Sequence, residues 1–231
     1  MNRKLCILTG VGPETGTGAE IARYFSENGY HVAMIARTED NLKNLEKKYN
    51  NTTAYPCDVG NIKDFKQTIN KILTDLGPAE VVIHNAPLGT RGPILDLSYE
   101  DLEKNFRVNT TSLLILSQMA LPKMLERESG TIIVTGNTAA ERGKDGWGFF
   151  AASKSIFPNP TAKFDNILTL SGNLLIVAAS NLSVRADKIP SHPSLSLINF
   201  SCECSSSLEL NFASKILPAL SSQDLSSLLV I

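Results

Sequence analysis

Between residues 4 and 135 short apolar runs alternate with longer segments of helical period, and few architectures satisfy that alternation. Strands are expected at 5–9, 31–36, 53–55, 81–84 and 131–135. Several are unbroken apolar runs such as Val81-Val82-Ile83, which suits a sheet covered by helices on both faces. The intervening segments carry stop signals: a helix over 17–28 halted by Gly29, one over 39–49, one over 61–76 halted by Gly77, and a long one from 98 to about 128 before Gly130. Ser98 and Asp101 have capping-box spacing at the start of the long helix, and Pro122 is expected to kink or divide it. The pattern reads as βαβ units, hence an α/β fold with a Rossmann-type doubly wound parallel sheet.

The first strand runs into Thr9-Gly10-Val11-Gly12-Pro13-Glu14-Thr15-Gly16-Thr17-Gly18 and then a helix. Glycines between a strand and a helix allow close backbone approach and leave free N–H groups at the helix N-terminus, which is what a pyrophosphate needs. At the end of the second strand, where a carboxylate would grip the ribose of NAD, Ala36 is followed by Arg37. A guanidinium suits a 2′-phosphate, so NADP is favoured over NAD, the alternative being that Arg37 is a solvated strand-end charge.

With these features the chain resembles the short-chain dehydrogenase/reductase family over roughly residues 4–155. Gly12-x3-Gly16-x-Gly18 is similar to its glycine motif, with about two extra residues around 13–15. Asp58-Val59 matches the adenine-contacting pair after the third strand, and His84-Asn85-Ala86-Pro87 resembles the Asn-Asn-Ala-Gly after the fourth. Asn109 matches the asparagine that breaks the helix and helps hold a proton-relay water. Asn137 stands in the slot of the catalytic serine, or Thr138 with the register moved by one. Lys154 matches the ribose-binding lysine. Each residue alone also fits a structural role: Asp58 as a loop cap, Asn85 satisfying backbone groups at a strand end, Asn109 as a polar residue on a solvent-facing helix surface.

The resemblance implies an oxidoreductase that moves a hydride between a nicotinamide and a small carbonyl or hydroxyl compound, with a tyrosine four residues before the lysine exchanging the proton. Phe150 occupies that slot. It keeps the ring and lacks the titratable hydroxyl, a loss worth about 10²–10⁴ in rate, so activity is doubtful. The alternative is an inactive cofactor-binding or regulatory module, or a truncated isoform.

After Lys154 the chain changes character. Gly172 is the last glycine, charge thins out, and serine and leucine dominate without a sustained period. Two parts are therefore expected: a dinucleotide-binding domain over 1–155 and a Ser/Leu-rich tail over 156–231, with the sheet incomplete on its C-terminal side. Residues 167–184 read as a strand or irregular chain rather than a membrane span. Pro158 and Pro160 should end the helix carrying Lys154 within two turns. In the family that helix contributes to a dimer interface, so a homo-oligomer is left open with its helix disrupted. A net charge of −1 with no basic stripe points away from nucleic acid, and the short apolar start at 5–9 is no signal-peptide core, which makes the cytoplasm the default location. Cys6 and Cys57 read as buried thiols and Cys202-x-Cys204 as chance spacing, so no metal site is expected.

Overall fold

The computed structural model describes residues 4–137, 140 and 145–155 and the backbone of a strand at 174–179. The elements alternate as the apolar runs require: β1 (Lys4–Thr9), α1 (Thr17–Glu27), β2 (Tyr30–Ala36), α2 (Glu39–Lys48), β3 (Thr52–Pro56), α3 (Ile62–Leu76) and β4 (Ala79–His84). They continue with α4 (Tyr99–Phe106), α5 (Ser112–Glu126), β5 (Gly130–Thr135), α6 (Gly148–Lys154) and β6 (Leu174–Ala179). Gly29 and Gly77 lie at φ +88°, a left-handed geometry that ends a helix without the steric cost another residue would meet. Thr138 and the prolines at 158 and 160 lie outside the described residues, as do Cys202 and Cys204.

The strands are all parallel, in the order β3-β2-β1-β4-β5-β6. Strand order reverses between β1 and β4, which opens a crevice at their carboxyl ends. Because successive strand residues face opposite ways, β1 supplies both halves of the core. Leu5 and Ile7 pack with Phe65, Ile69 and Ile72 of α3 and Leu113, Leu116 and Met124 of α5. Cys6 and Leu8 pack with Ala19, Ile21 and Ala22 of α1 and Leu42 and Leu45 of α2. Both Cys6 and Cys57 are buried free thiols, and burial pushes the Cys6 thiol up.

β6, within the 167–184 stretch read as strand or irregular chain, pairs with β5 from Gly130↔Leu174 to Thr135↔Ala179. Its six apolar residues are bounded by Ser171-Gly172-Asn173 and Ser180-Asn181 in the sequence. One expectation is corrected: Pro122 does not divide the long helix. Pro122 and Gln118, whose carbonyl loses its partner, both face solvent, so water meets the freed acceptor and α5 continues. The interruption falls instead at Arg107–Thr111, one π turn between α4 and α5 that carries Asn109.

Candidate functional site

The glycine turn is built by two glycines that no other residue could replace in place. Gly10 lies at φ +75°, and a Cβ there would come within 2.5 Å of the Asn85 carbonyl and the Ala86 nitrogen. Gly18 lets α1 touch the turn, since its Cβ would lie 2.9 Å from Val11 Cα. Gly10 and Val11 donate their N–H groups to the Ile35 carbonyl, 2.9 and 3.3 Å, fastening the turn to β2. Gly16 is the N-cap of α1, with no side chain closing it, and the N–H groups of Thr17 and Gly18 have no acceptor among the described residues. A Cβ on Gly12 would meet nothing within 4 Å. Gly12 therefore borders open space, while the sterically indispensable glycine of the turn is Gly10. The sequence reading starts the motif at Gly12 and passes over Gly10; the signal was its place at the strand end, obscured by the two inserted residues.

Beyond β2, Arg37 is exposed and makes no hydrogen bond or ion pair among the described residues. Asp58 accepts the Gly60 N–H at 2.9 Å, so its loop-capping role is real, while the neighbouring Val59 is buried in the core. Asn85 donates from Nδ2 to the Gly10 carbonyl at 3.0 Å and from its N–H to Thr9 Oγ1 at 3.2 Å. It braces the glycine turn against the end of β4.

His84 is fully buried beneath that brace. Its Nδ1 lies 3.0 Å from Thr9 Oγ1 and its Nε2 3.4 Å from Ser112 Oγ. Ser112 gives its proton to the Val108 carbonyl, so its oxygen accepts from His84 Nε2–H, and Nδ1 accepts from Thr9. Burial first, and then the Lys154 charge, push the imidazole pKa down to about 3, against the pull of the Val108 and Asn109 carbonyls. His84 is neutral at ordinary pH. It ties the glycine turn to the π turn, a role the sequence signalled only as a departure from the family's asparagine.

Asn109 is fully buried, which excludes the solvent-facing alternative. Its Oδ1 accepts the Leu88 N–H at 2.8 Å; its Nδ2 donates to the Leu88 carbonyl and to Ser153 Oγ, both at 2.8 Å. Thr110 Oγ1 adds a bond to the Ser153 carbonyl at 2.8 Å. The π turn thus carries α6 and the segment after β4 on one pair of side chains. Ser153, invisible in the sequence as a site residue, is the α6 end of this link. Among the described residues no cluster of three His, Cys, Asp or Glu could hold a metal, and no helix is long and apolar enough to cross a membrane.

A family model described as short chain dehydrogenase matches residues 4–163. The chain belongs to the short-chain dehydrogenase family. It is 27% identical over 156 residues to the 2,3-dihydro-2,3-dihydroxybenzoate dehydrogenase of Bacillus subtilis, a match that spans 66% of this chain and 59% of that enzyme. It is 32% identical over 144 residues to a short chain dehydrogenase of Pseudocercospora fijiensis, spanning 59% of this chain and 46% of that one. The chain therefore spans roughly half to three fifths of the length of these curated relatives. Among solved structures, a metagenomic short-chain oxidoreductase in complex with NADP superposes with a TM-score of 0.63 at 21% identity, covering 76% of this chain and 81% of that one, a likeness of fold.

The Lys154 and Phe150 side chains share α6 at a spacing of four, so they lie on one face of the helix. Lys154 is 3% exposed and donates to the Thr135 carbonyl at 3.2 Å, at the tip of β5; burial lowers its pKa to about 8. Asn137 follows two residues later, half-buried, its carbonyl accepting the Ala140 N–H at 2.9 Å. Phe150 is buried between Gly89 and the Trp147 ring, centroids 5.4 Å apart. Lys154 is the single titratable side chain on α6.

Proposed function

We propose that this chain binds NADP(H) in the crevice between β1 and β4, as an oxidoreductase of the family whose carbonyl–hydroxyl chemistry on a small molecule is impaired at the proton step. The observation that carries the reading is the bare N-terminus of α1, with unpaired N–H groups beside the open face of Gly12. Gly12, Gly16 and Gly18 would hold the pyrophosphate and Arg37 the 2′-phosphate, while Asp58, Val59 and Asn85 would border the adenosine and the turn. When bound, the nicotinamide supplies or accepts the hydride.

The chain's own residues then divide the work. Lys154, anchored on the Thr135 carbonyl, offers its remaining N–H groups to the nicotinamide ribose. Asn137 would donate a side-chain amide hydrogen to a developing oxyanion. Asn109 positions α6 through Ser153, and both of its amide hydrogens are already committed to protein acceptors. Phe150 has no proton to give, which leaves Lys154, with its pKa near 8, as the nearest acid on that helix.

A second reading, a cofactor-binding module without turnover, is favoured by one observation: the Phe150 ring is covered by Trp147. One experiment separates the two. NADPH is titrated by its fluorescence, and the loaded protein is then assayed over a panel of small aldehydes and ketones. Binding with slow oxidation of NADPH supports the first reading, and binding with no turnover the second. No binding at millimolar NADPH removes both.

A further inference from the structure

Arg91 and Trp147 are 56 positions apart, yet the Arg91 guanidinium lies over the Trp147 ring, with Cζ 3.7 Å from the centroid. The contact joins the segment after β4 to the N-cap of α6. Two backbone features build it. Gly92 donates its N–H to the Gly146 carbonyl at 3.1 Å, bridging the two segments beside the stack. Gly146 takes a left-handed φ of +71°, open to glycine at little cost, so the chain turns there to present the next residue's ring. Trp147 in turn covers Phe150, the residue one helical turn before Lys154.

Stacking occupies the face of a guanidinium and leaves its five N–H donors in the plane around its edge. Here those donors have no acceptor among the described residues: Arg91 is exposed, forms no ion pair, and makes no hydrogen bond. A cation whose orientation is fixed by an aromatic platform loses little freedom when it takes a planar, two-oxygen partner. It lies in the segment after β4, at the carboxyl edge of the sheet, on the Trp147 ring that also packs on Phe150, and in an open α/β sheet ligands enter at that edge.

We propose that Arg91, held over the Trp147 ring, anchors a carboxylate on the small molecule that enters beside Lys154, so that the ligand is a carbonyl or hydroxyl acid rather than a neutral ketone or alcohol. The inference names the substrate class for the site assigned above and rests on that reading for the identity of the neighbouring cofactor.

Trp147 is the only tryptophan of the chain, so its fluorescence reports on Arg91 directly. Acetoacetate and its methyl ester, alike except for the charge, are titrated at constant ionic strength into the full-length protein with and without NADPH. The expected result is a saturable change in Trp147 emission, with the acid bound roughly 10-fold or more tighter than the ester. Arg91→Met removes that preference and leaves NADPH affinity unchanged. Arg91→Lys keeps the charge without the fork and retains part of it. Equal binding of acid and ester by the wild type, or an acid preference that survives in Arg91→Met, overturns the inference. So does a loss of NADPH affinity in Arg91→Met, which would assign the guanidinium to the cofactor. NADPH binding is read separately by nicotinamide fluorescence, so its failure strikes the cofactor reading, while the acetoacetate titration of the unliganded protein still tests Arg91.

Discussion

Replacing Gly10 and Gly12, one at a time, with alanine separates the glycine that shapes the turn from the glycine that leaves room for a ligand. At Gly10 an alanine must adopt φ +75°, which costs about 1–2 kcal/mol. Its Cβ would also sit 2.5 Å from main-chain atoms of Asn85 and Ala86, which cannot rotate aside, and moving them costs about 1–3 kcal/mol more. A total of about 2–5 kcal/mol, at roughly 2–4 °C per kcal/mol for a chain of this size, lowers Tm by roughly 4–20 °C. Gly12 is outside the left-handed region and a Cβ there meets no atom within 4 Å. Gly12→Ala should therefore stay within about 0.5 kcal/mol of wild type. Its methyl group, however, projects into the space a phosphate would use, so NADPH affinity should fall about 10-fold or more. Thermal unfolding by circular dichroism and NADPH fluorescence titration measure the two effects independently. An unchanged Tm in Gly10→Ala, or wild-type NADPH affinity in a folded Gly12→Ala, would refute this division of labour.

Reversing the charge in Arg37→Glu should weaken NADPH at least 10-fold while sparing NADH, as paired titrations would show; equal losses for both would detach Arg37 from the 2′-phosphate. Asn109→Ala leaves Leu88 and Ser153 without three bonds and should cost about 2–5 kcal/mol by urea unfolding. Asn109→Asp should not rescue it, because a carboxylate has no N–H to donate. His84 has a folded pKa of about 3, below its unfolded value of about 6.5. The unfolded chain therefore takes up the extra proton, and the stability contributed by the neutral ring is intact above pH 6.5 and lost as pH falls toward 3. Urea unfolding from pH 7 to 4 should show this slope in the wild type and a shallower one in His84→Gln; parallel slopes would clear His84. Phe150→Tyr should raise carbonyl reduction about 10²-fold if the absent hydroxyl limits turnover, measured by NADPH oxidation, and no gain would place the limit elsewhere.

The strands and helix ends were legible because they rest on local signals: unbroken apolar runs for β1, β4 and β5, and left-handed glycines after α1 and α3. The interruption of the long helix was not read from local propensity, which points to Pro122. An exposed proline is tolerated when water replaces its missing bond, whereas Asn109 is held off the regular ladder by Leu88 and Ser153, partners distant in sequence. The family resemblance marked the helix break at Asn109, where the π turn lies, and periodicity did not. The roles of Gly10, His84 and Ser153 stayed hidden for the same reason. Gly10 is defined by its approach to Asn85, His84 by Thr9 and Ser112, and Ser153 by the π turn. The Arg91–Trp147 stack joins two loops, and no periodicity connects them.

The Asn109 side chain meets Leu88 as one peptide unit meets another, accepting its N–H and donating to its C=O, so a carboxamide stands in for a missing neighbouring strand. The bare main chain after β4 is thereby satisfied without a sheet to lie in. Such mimicry demands a primary amide at one fixed reach: glutamine is a methylene too long, aspartate is deaf on the donor side, and leucine shares only the outline. Position 109 thus has almost no freedom to drift, even in a descendant that has given up chemistry altogether.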